Sequence, residues 1–215
     1  MSDTSDRSAY PADLQLDAPL EVANWRPLVQ WALALPHLLI VNVLDNLSGV
    51  LSFVSWFIIL FTGRLPEGIA RFQCLVLRYE ARTYSYVFWL RDSYPAFEFE
   101  MTSADPRTDP VRVEIRPQLE NRNRLTVGLR LLWIIPILVF TAVVAIGAVL
   151  ALLVSFVAVL FTGRWPVGLR DFIVKATRLT LRVHVYASLL TDDYPPFALG
   201  EPSGSAPPAA SPLPA

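Results

Sequence analysis

Residues 131–163 read LLWIIPILVFTAVVAIGAVLALLVSFVAVLFTG, thirty-three consecutive positions without Asp, Glu, Lys or Arg. A stretch this long and this free of charge reads as membrane-embedded rather than as buried core. A second such run extends from Pro27 to Gly63, where Asp45 is the lone formal charge. The whole chain is 53% apolar and 17% charged, richer in apolar residues than an ordinary soluble domain. Its net charge of −1 creates no field that would attract nucleic acid.

The two runs belong to a duplication. Shifting the chain by 100 residues aligns Phe61-Thr62-Gly63-Arg64 with Phe161-Thr162-Gly163-Arg164, and Pro66 and Gly68 with Pro166 and Gly168. Arg78, Arg82, Tyr86, Asp92, Tyr94, Pro95 and Phe97 meet Arg178, Arg182, Tyr186, Asp192, Tyr194, Pro195 and Phe197. Between positions 61 and 97, 15 of 37 residues are identical to their partners. A repeat of this kind is settled before any other fold reasoning. We read repeat 1 over 13–101, a polar linker over 102–110 and repeat 2 over 111–199, with disordered ends at 1–12 and 200–215.

Each copy has the same order. A short alternating segment, Leu14 to Leu16 or Val111 to Ile115, predicts a strand. The apolar run follows, then Thr-Gly-Arg-x-Pro, an amphipathic helix and Tyr-Pro-x-Phe. Phe97 to Glu100 alternates again and suggests a further strand. The expected fold is a mainly α integral membrane protein, a tandem duplication in which each copy holds a transmembrane helical hairpin.

The hairpin expectation comes from length and charge. One helix of some 33 residues measures roughly 50 Å against a hydrocarbon core of about 30 Å. Two shorter helices would turn at Leu44 to Gly49 in copy one and near Gly147 in copy two. That arrangement also puts every basic residue on one side, as the positive-inside rule requires, with both termini cytoplasmic. Met1 is followed by no basic segment and short apolar run of the signal-peptide kind.

In Thr-Gly-Arg-x-Pro, glycine suits a left-handed helix end and proline the first turn of the next helix. Arg64 and Arg164 could reach headgroup phosphates from there. The following helices carry basic stripes, Arg71, Arg78 and Arg82 in one copy and Lys175, Arg178 and Arg182 in the other. Two readings stay open: these residues meet anionic lipid or a protein partner, or they pair with the chain's own acids such as Asp92 and Asp192. Asp92 and Asp192 precede Tyr-Pro and read as turn or cap residues. His37 and Asp45 are ionisable groups inside the first run, and such groups are functional candidates. Copy two has Ile137 in place of His37, which excludes a symmetric pair of histidines. The single cysteine, Cys74, forms no internal disulfide and reads as an apolar filler.

Ala34-Leu35-Pro36-His37, Leu60 to Arg64 and Leu189 to Phe197 resemble the bacterial membrane family catalogued as domain of unknown function 4389. The resemblance covers nearly all of 25–199, once per repeat, and implies a location rather than a chemistry. Copy one departs from it at Ala96 and copy two at Ile137. No phosphate-cradling glycine loop, zinc motif or nucleophile elbow occurs in the chain, so no cofactor, metal or catalytic residue is expected. The expected role is a multi-pass, non-enzymatic scaffold or accessory subunit in a bacterial cytoplasmic membrane. Its partners would be membrane lipids, other proteins or a second copy, with a transporter or channel component as the rival reading.

Overall fold

The computed structural model describes residues 10–16 and 18–200. The expected disordered ends fall outside the described residues except for 10–12 and Gly200, and Ala12 belongs to a strand. In chain order the elements are β1 (Ala12–Gln15), α1 (Arg26–Leu33), α2 (Leu35–Thr62), α3 (Glu67–Val87), β2 (Arg112–Ile115), α4 (Arg124–Gly128), α5 (Arg130–Thr162) and α6 (Val167–Ala187). The two strands lie where alternation places them. Residues 97–100 form no strand, because their polar groups serve α3 instead.

The hairpin expectation is corrected. Leu44 to Gly49 lies within α2 and Gly147 within α5, each of them one continuous helix of 28 and 33 residues. The turn-forming residues of the first run are satisfied inside the helix or against its neighbour. Asn46 donates to the Asn42 carbonyl at 2.7 Å. Ser48 donates to Gln73 of α3, and the Gln73 amide donates back to the Ser48 carbonyl and to Ser52 Oγ, both at 3.0 Å. The glycines with positive φ are Gly63 (72°) and Gly163 (65°), at the ends of the long helices, as the Thr-Gly-Arg motif predicts. There the Thr62 and Thr162 hydroxyls each accept from the amide of the following arginine at 3.2 Å.

The hairpin that does form joins each apolar helix to its amphipathic successor. α2 packs antiparallel on α3, and α5 on α6. Phe172 of α6 lies against Gly147, while Ile137 clusters with Leu179 and Val183, which fixes the antiparallel sense of the second pair. α3 and α6 then run antiparallel to each other. Trp165 Nε1 donates to the Trp89 carbonyl at one end. At the other end, residues 118 and 119 bridge Leu190 to Leu65. Leu77 and Ala81 meet Leu181 and Val185 between them.

A pseudo-twofold axis relates the copies. β1 pairs antiparallel with β2 in the register Ala12↔Ile115 and Asp13↔Glu114, so a shift of 100 maps the ribbon onto itself. The copies also exchange contacts at their ends. Val22 donates to the Gly163 carbonyl and Arg122 to the Gly63 carbonyl. Asn24 reaches the Leu160 carbonyl, and Trp56 the Val127 carbonyl, each at 2.9 Å. The result is three layers: α2 and α5 outermost, α3 and α6 in the middle, and the ribbon with the extended segments on the opposite face.

A Cβ at Gly163 would lie 2.7 Å from Asn24 Oδ1 and would sit on a left-handed backbone, whereas nothing lies within 4 Å of Gly49. Gly163→Ala should therefore destabilise the protein by at least about 1–2 kcal/mol. Gly49→Ala should be neutral or stabilising by up to about 1 kcal/mol. Thermal unfolding of the detergent-solubilised chain compares them, and equal melting temperatures would contradict this reading of the turn.

Candidate functional site

The outermost layer presents an apolar face, interrupted on α2 by the exposed Asn42, Asp45 and Asn46. On α2 it carries Leu39, Val43, Val50, Phe53 and Phe61, each at least 60% exposed, and on α5 Val139, Val143, Ile146 and Leu153 are equally open. One heptad series on each helix turns inward instead: Val41, Ser48 and Ser55 on α2, Ile137, Val144 and Ala151 on α5. Monomeric soluble proteins rarely expose an apolar patch of this extent.

The basic stripes divide. Arg78 is buried and donates to the carbonyls of Glu100, Thr102 and Ala104 at 3.1, 2.8 and 3.0 Å. Arg82, also buried, meets Glu98 at 2.8 Å and Asp105 at 3.1 Å, with Asp109 at 3.9 Å. Arg182 is buried and donates to the Gly200 carbonyl, while Arg178 Nε donates to Leu14. The lipid-facing expectation is thus corrected for Arg78, Arg82 and Arg182. They face the chain's own extended segments because these cover the polar sides of α3 and α6. Arg64, Arg71, Arg164 and Lys175 stay on the surface, the first three beside Glu120, Glu67 and Glu21.

Asp92 and Asp192, identical by repeat, differ in setting. Asp92 is largely exposed and pairs with Arg26. Asp192 is held by two buried arginines, Arg122 at 2.7 Å and Arg130 at 3.0 Å, and accepts from the Asn123 amide. Burial alone would raise the Asp192 carboxyl, but the hydrogen bonds from Arg122 and Asn123 hold it below its ordinary value. Arg122, Arg130 and the buried Arg91–Asp109 pair were not singled out from sequence. Asp109, Arg122 and Arg130 lie outside the span 61–97 and its copy, Arg91 meets Thr191 within it, and only the fold pairs these groups.

His37 is buried against α3, 2.6 Å from the Tyr79 hydroxyl and stacked on Phe97 with ring centres 4.2 Å apart. The shared tyrosines and phenylalanines explain themselves here: Tyr86, Tyr94 and Phe97, and equally Tyr186, Tyr194 and Phe197, close one aromatic cluster per copy. Cys74 is fully buried, and burial pushes its thiol up to about 11, with Arg78 pulling the other way. It is a filler, as read.

A groove of about 330 Å³ opens between α3, α5 and α6, with Glu80, Tyr84, Leu152, Thr177 and His184 on its walls. His184 Nδ1 and Glu80 lie 3.1 Å apart. Burial pulls the His184 imidazole down, but the hydrogen bond to Glu80 and the charges of Glu80 and Asp45 leave it above its ordinary value. The structure therefore separates the two ionisable candidates of the first run: His37 is sealed in a core, and Asp45 is exposed on α2 within electrostatic reach of the Glu80–His184 pair. Among the described residues no group of three His, Cys, Asp or Glu side chains is placed to hold a metal ion.

Residues 24–98 and 124–198 each match the family described as a domain of unknown function (DUF4389). The chain belongs to the DUF4389 family. It carries two tandem copies of the domain, and the matched segments begin just before α1 and at the first residue of α4 and end just past the two Tyr-Pro-x-Phe motifs. The strands β1 and β2 fall outside both matches. No curated protein and no solved structure shows significant similarity to the chain.

Removing a charge from a buried pair strands its partners. Asp192→Asn should destabilise the protein by about 3–5 kcal/mol. Asp92→Asn, whose carboxylate is 59% exposed, should cost less than about 1 kcal/mol. Because Asp192 is held below its ordinary value, its contribution is complete above the unfolded carboxylate range and disappears as pH falls through the folded value. The gap between wild type and Asp192→Asn should therefore close in acid. Detergent-titration unfolding across pH checks both statements, and a gap that persists at low pH would contradict them.

Proposed function

We propose that this protein is a non-enzymatic scaffold or accessory subunit of a bacterial cytoplasmic membrane. In this reading α2 and α5 lodge in the hydrocarbon, and the polar layer faces the cytoplasm to meet anionic headgroups or protein partners. The observation that carries it is the exposed apolar face that runs along α5 and, interrupted by Asn42, Asp45 and Asn46, along α2. Two features support the orientation. Tyr10 and Gly200, the first and last described residues, both bond Arg182, so the two ends leave from the polar layer. Arg64 and Arg164 lie just past the C-terminal ends of the long helices, where the positive-inside rule wants them on the cytoplasmic side, and Arg71 and Lys175 are exposed on α3 and α6.

The rival reading, a transporter component, draws on Asp45 and on the Glu80–His184 pair in the groove. It is the weaker one, since α5 contributes no charge beyond Arg130 and His37 lines no opening.

The membrane reading is tested with the full-length chain. It should stay in the membrane pellet through high-salt and alkaline washes and leave only with detergent. The triple variant Val143→Asp, Ile146→Asp, Leu150→Asp touches exposed side chains alone. Each change should cost about 2.5–3.5 kcal/mol of membrane affinity, enough to move the chain to the wash. A wild-type chain that washes off without detergent would sink the proposal. Replacing Arg64, Arg71, Arg164 and Lys175 by Gln should weaken binding to anionic vesicles and leave neutral ones unaffected.

A further inference from the structure

We infer that α2 and α5 lie in the plane of one membrane leaflet, so that the protein is seated in the bilayer from one side and does not cross it. The inference rests on the membrane reading above and names its partner: the hydrocarbon of a single leaflet beneath its anionic headgroups.

The layers decide the matter. α2 runs antiparallel along α3, and α5 along α6, so the orientation of each apolar helix is also that of its amphipathic mate. The polar side of α3 is covered along its length by residues 91–119. Arg91 and Asp109 pair near its C-terminal end, Glu98 to Ala104 sit against Arg82 and Arg78, and Leu119 accepts from Leu65 beyond its N-terminal end. The polar side of α6 is covered likewise, with Arg178 bonded to Leu14, Arg170 to Ala18 and Trp165 to Leu20. If α2 crossed the bilayer, α3 and this whole polar segment would cross beside it. Residues 91–122 alone hold twelve charged side chains, and each costs about 2.5–3.5 kcal/mol at the bilayer centre. Exposed extended backbone does not occur in hydrocarbon either. Laid flat, the same segment lies in water, and the layer that enters lipid exposes one charged side chain, Asp45, in place of twelve.

Length agrees. At 28 and 33 residues the helices measure about 42 and 50 Å. Crossing a core of about 30 Å would need tilts of roughly 45–55°, beyond the observed range. A flat helix has no such limit. An in-plane helix ordinarily needs a polar face of its own. α5 lacks one because α6 supplies it, so the amphipathic unit is the helix pair.

The rim fits a headgroup region. Trp25, Trp31 and Trp133 are exposed near the N-terminal ends of the α1–α2 and α5 runs, and Arg64 and Arg164 lie just past the C-terminal ends. Because the copies are antiparallel, each end of the layer carries both kinds of anchor. The pseudo-twofold through the ribbon and the α3–α6 contact then runs along the membrane normal.

Depth measurement tests this directly. In the full-length chain carrying Cys74→Ala, single spin labels are placed at Leu39, Asn46, Phe53 and Phe61 on α2, and at Leu132, Val139, Ile146 and Leu153 on α5. All are exposed positions. The probe is a vesicle of mixed neutral and anionic phospholipid, with oxygen and a water-soluble nickel chelate as relaxing agents. In-plane seating places all eight labels at a similar depth of about 5–10 Å. A crossing helix gives a V-shaped profile instead, deepest at mid-helix, since Leu39 and Phe61 are separated by about 33 Å of rise. That profile overturns the inference and leaves the membrane reading standing. Labels open to the nickel chelate throughout overturn both. Labels shielded from both agents, with dipolar broadening, would mean that a second copy covers the face, and would overturn the leaflet as occupant.

Discussion

A guanidinium buried between two layers must find acceptors within hydrogen-bond reach or it destabilises both layers. Arg82 finds Glu98, Asp105 and Asp109, and Arg78 beside it takes three main-chain carbonyls. These contacts fasten the extended segment over α3, and Arg178 and Arg182 do the same over α6. Everything else follows from that fastening. With their polar sides covered, α3 and α6 can turn their apolar sides towards α2 and α5. The outer faces of those helices are then left without protein against them.

The duplication works as an internal dimer. Each long helix ends in a left-handed glycine whose carbonyl is capped by the segment leading into the other copy's helix, Val22 on Gly163 and Arg122 on Gly63. The β-ribbon is built from one strand of each copy. Neither copy completes its own turn or its own sheet, which gives a physical reason for two repeats in one chain. Symmetry then breaks where polar groups differ. By the repeat His37 corresponds to Ile137, Asp45 to Ala145 and, on α3, Glu80 to Thr180, so these ionisable groups gather in the first copy.

Much of this was legible in the sequence. The duplication, both strands, the amphipathic helices and the glycine turns follow from residue type and spacing at Leu14, Val113, Gly63 and Gly163. The helical hairpin did not survive. Asn46, Ser48 and Gly49 look like a turn only while their partners are unknown; Gln73 lies 25 residues beyond Ser48 and satisfies it through the fold. The positive-inside rule assumed that arginines face a membrane surface, yet three of the stripe residues are spent inside the protein. Likewise a lone Asp192 gives no sign in sequence that Arg122 and Arg130, 70 and 62 residues away, will enclose it. Local pattern fixes helices and turns; the burial of charge is a property of tertiary pairing.

The most direct measurement of the central claim is polarised infrared spectroscopy of the full-length protein in aligned bilayers. The amide I transition of a helix lies close to its axis, and α2, α3, α5 and α6 run side by side as antiparallel neighbours. Seating in one leaflet predicts helical amide I absorbance polarised in the membrane plane. Absorbance polarised along the membrane normal would mean that the long helices cross the bilayer, and would contradict the layered account.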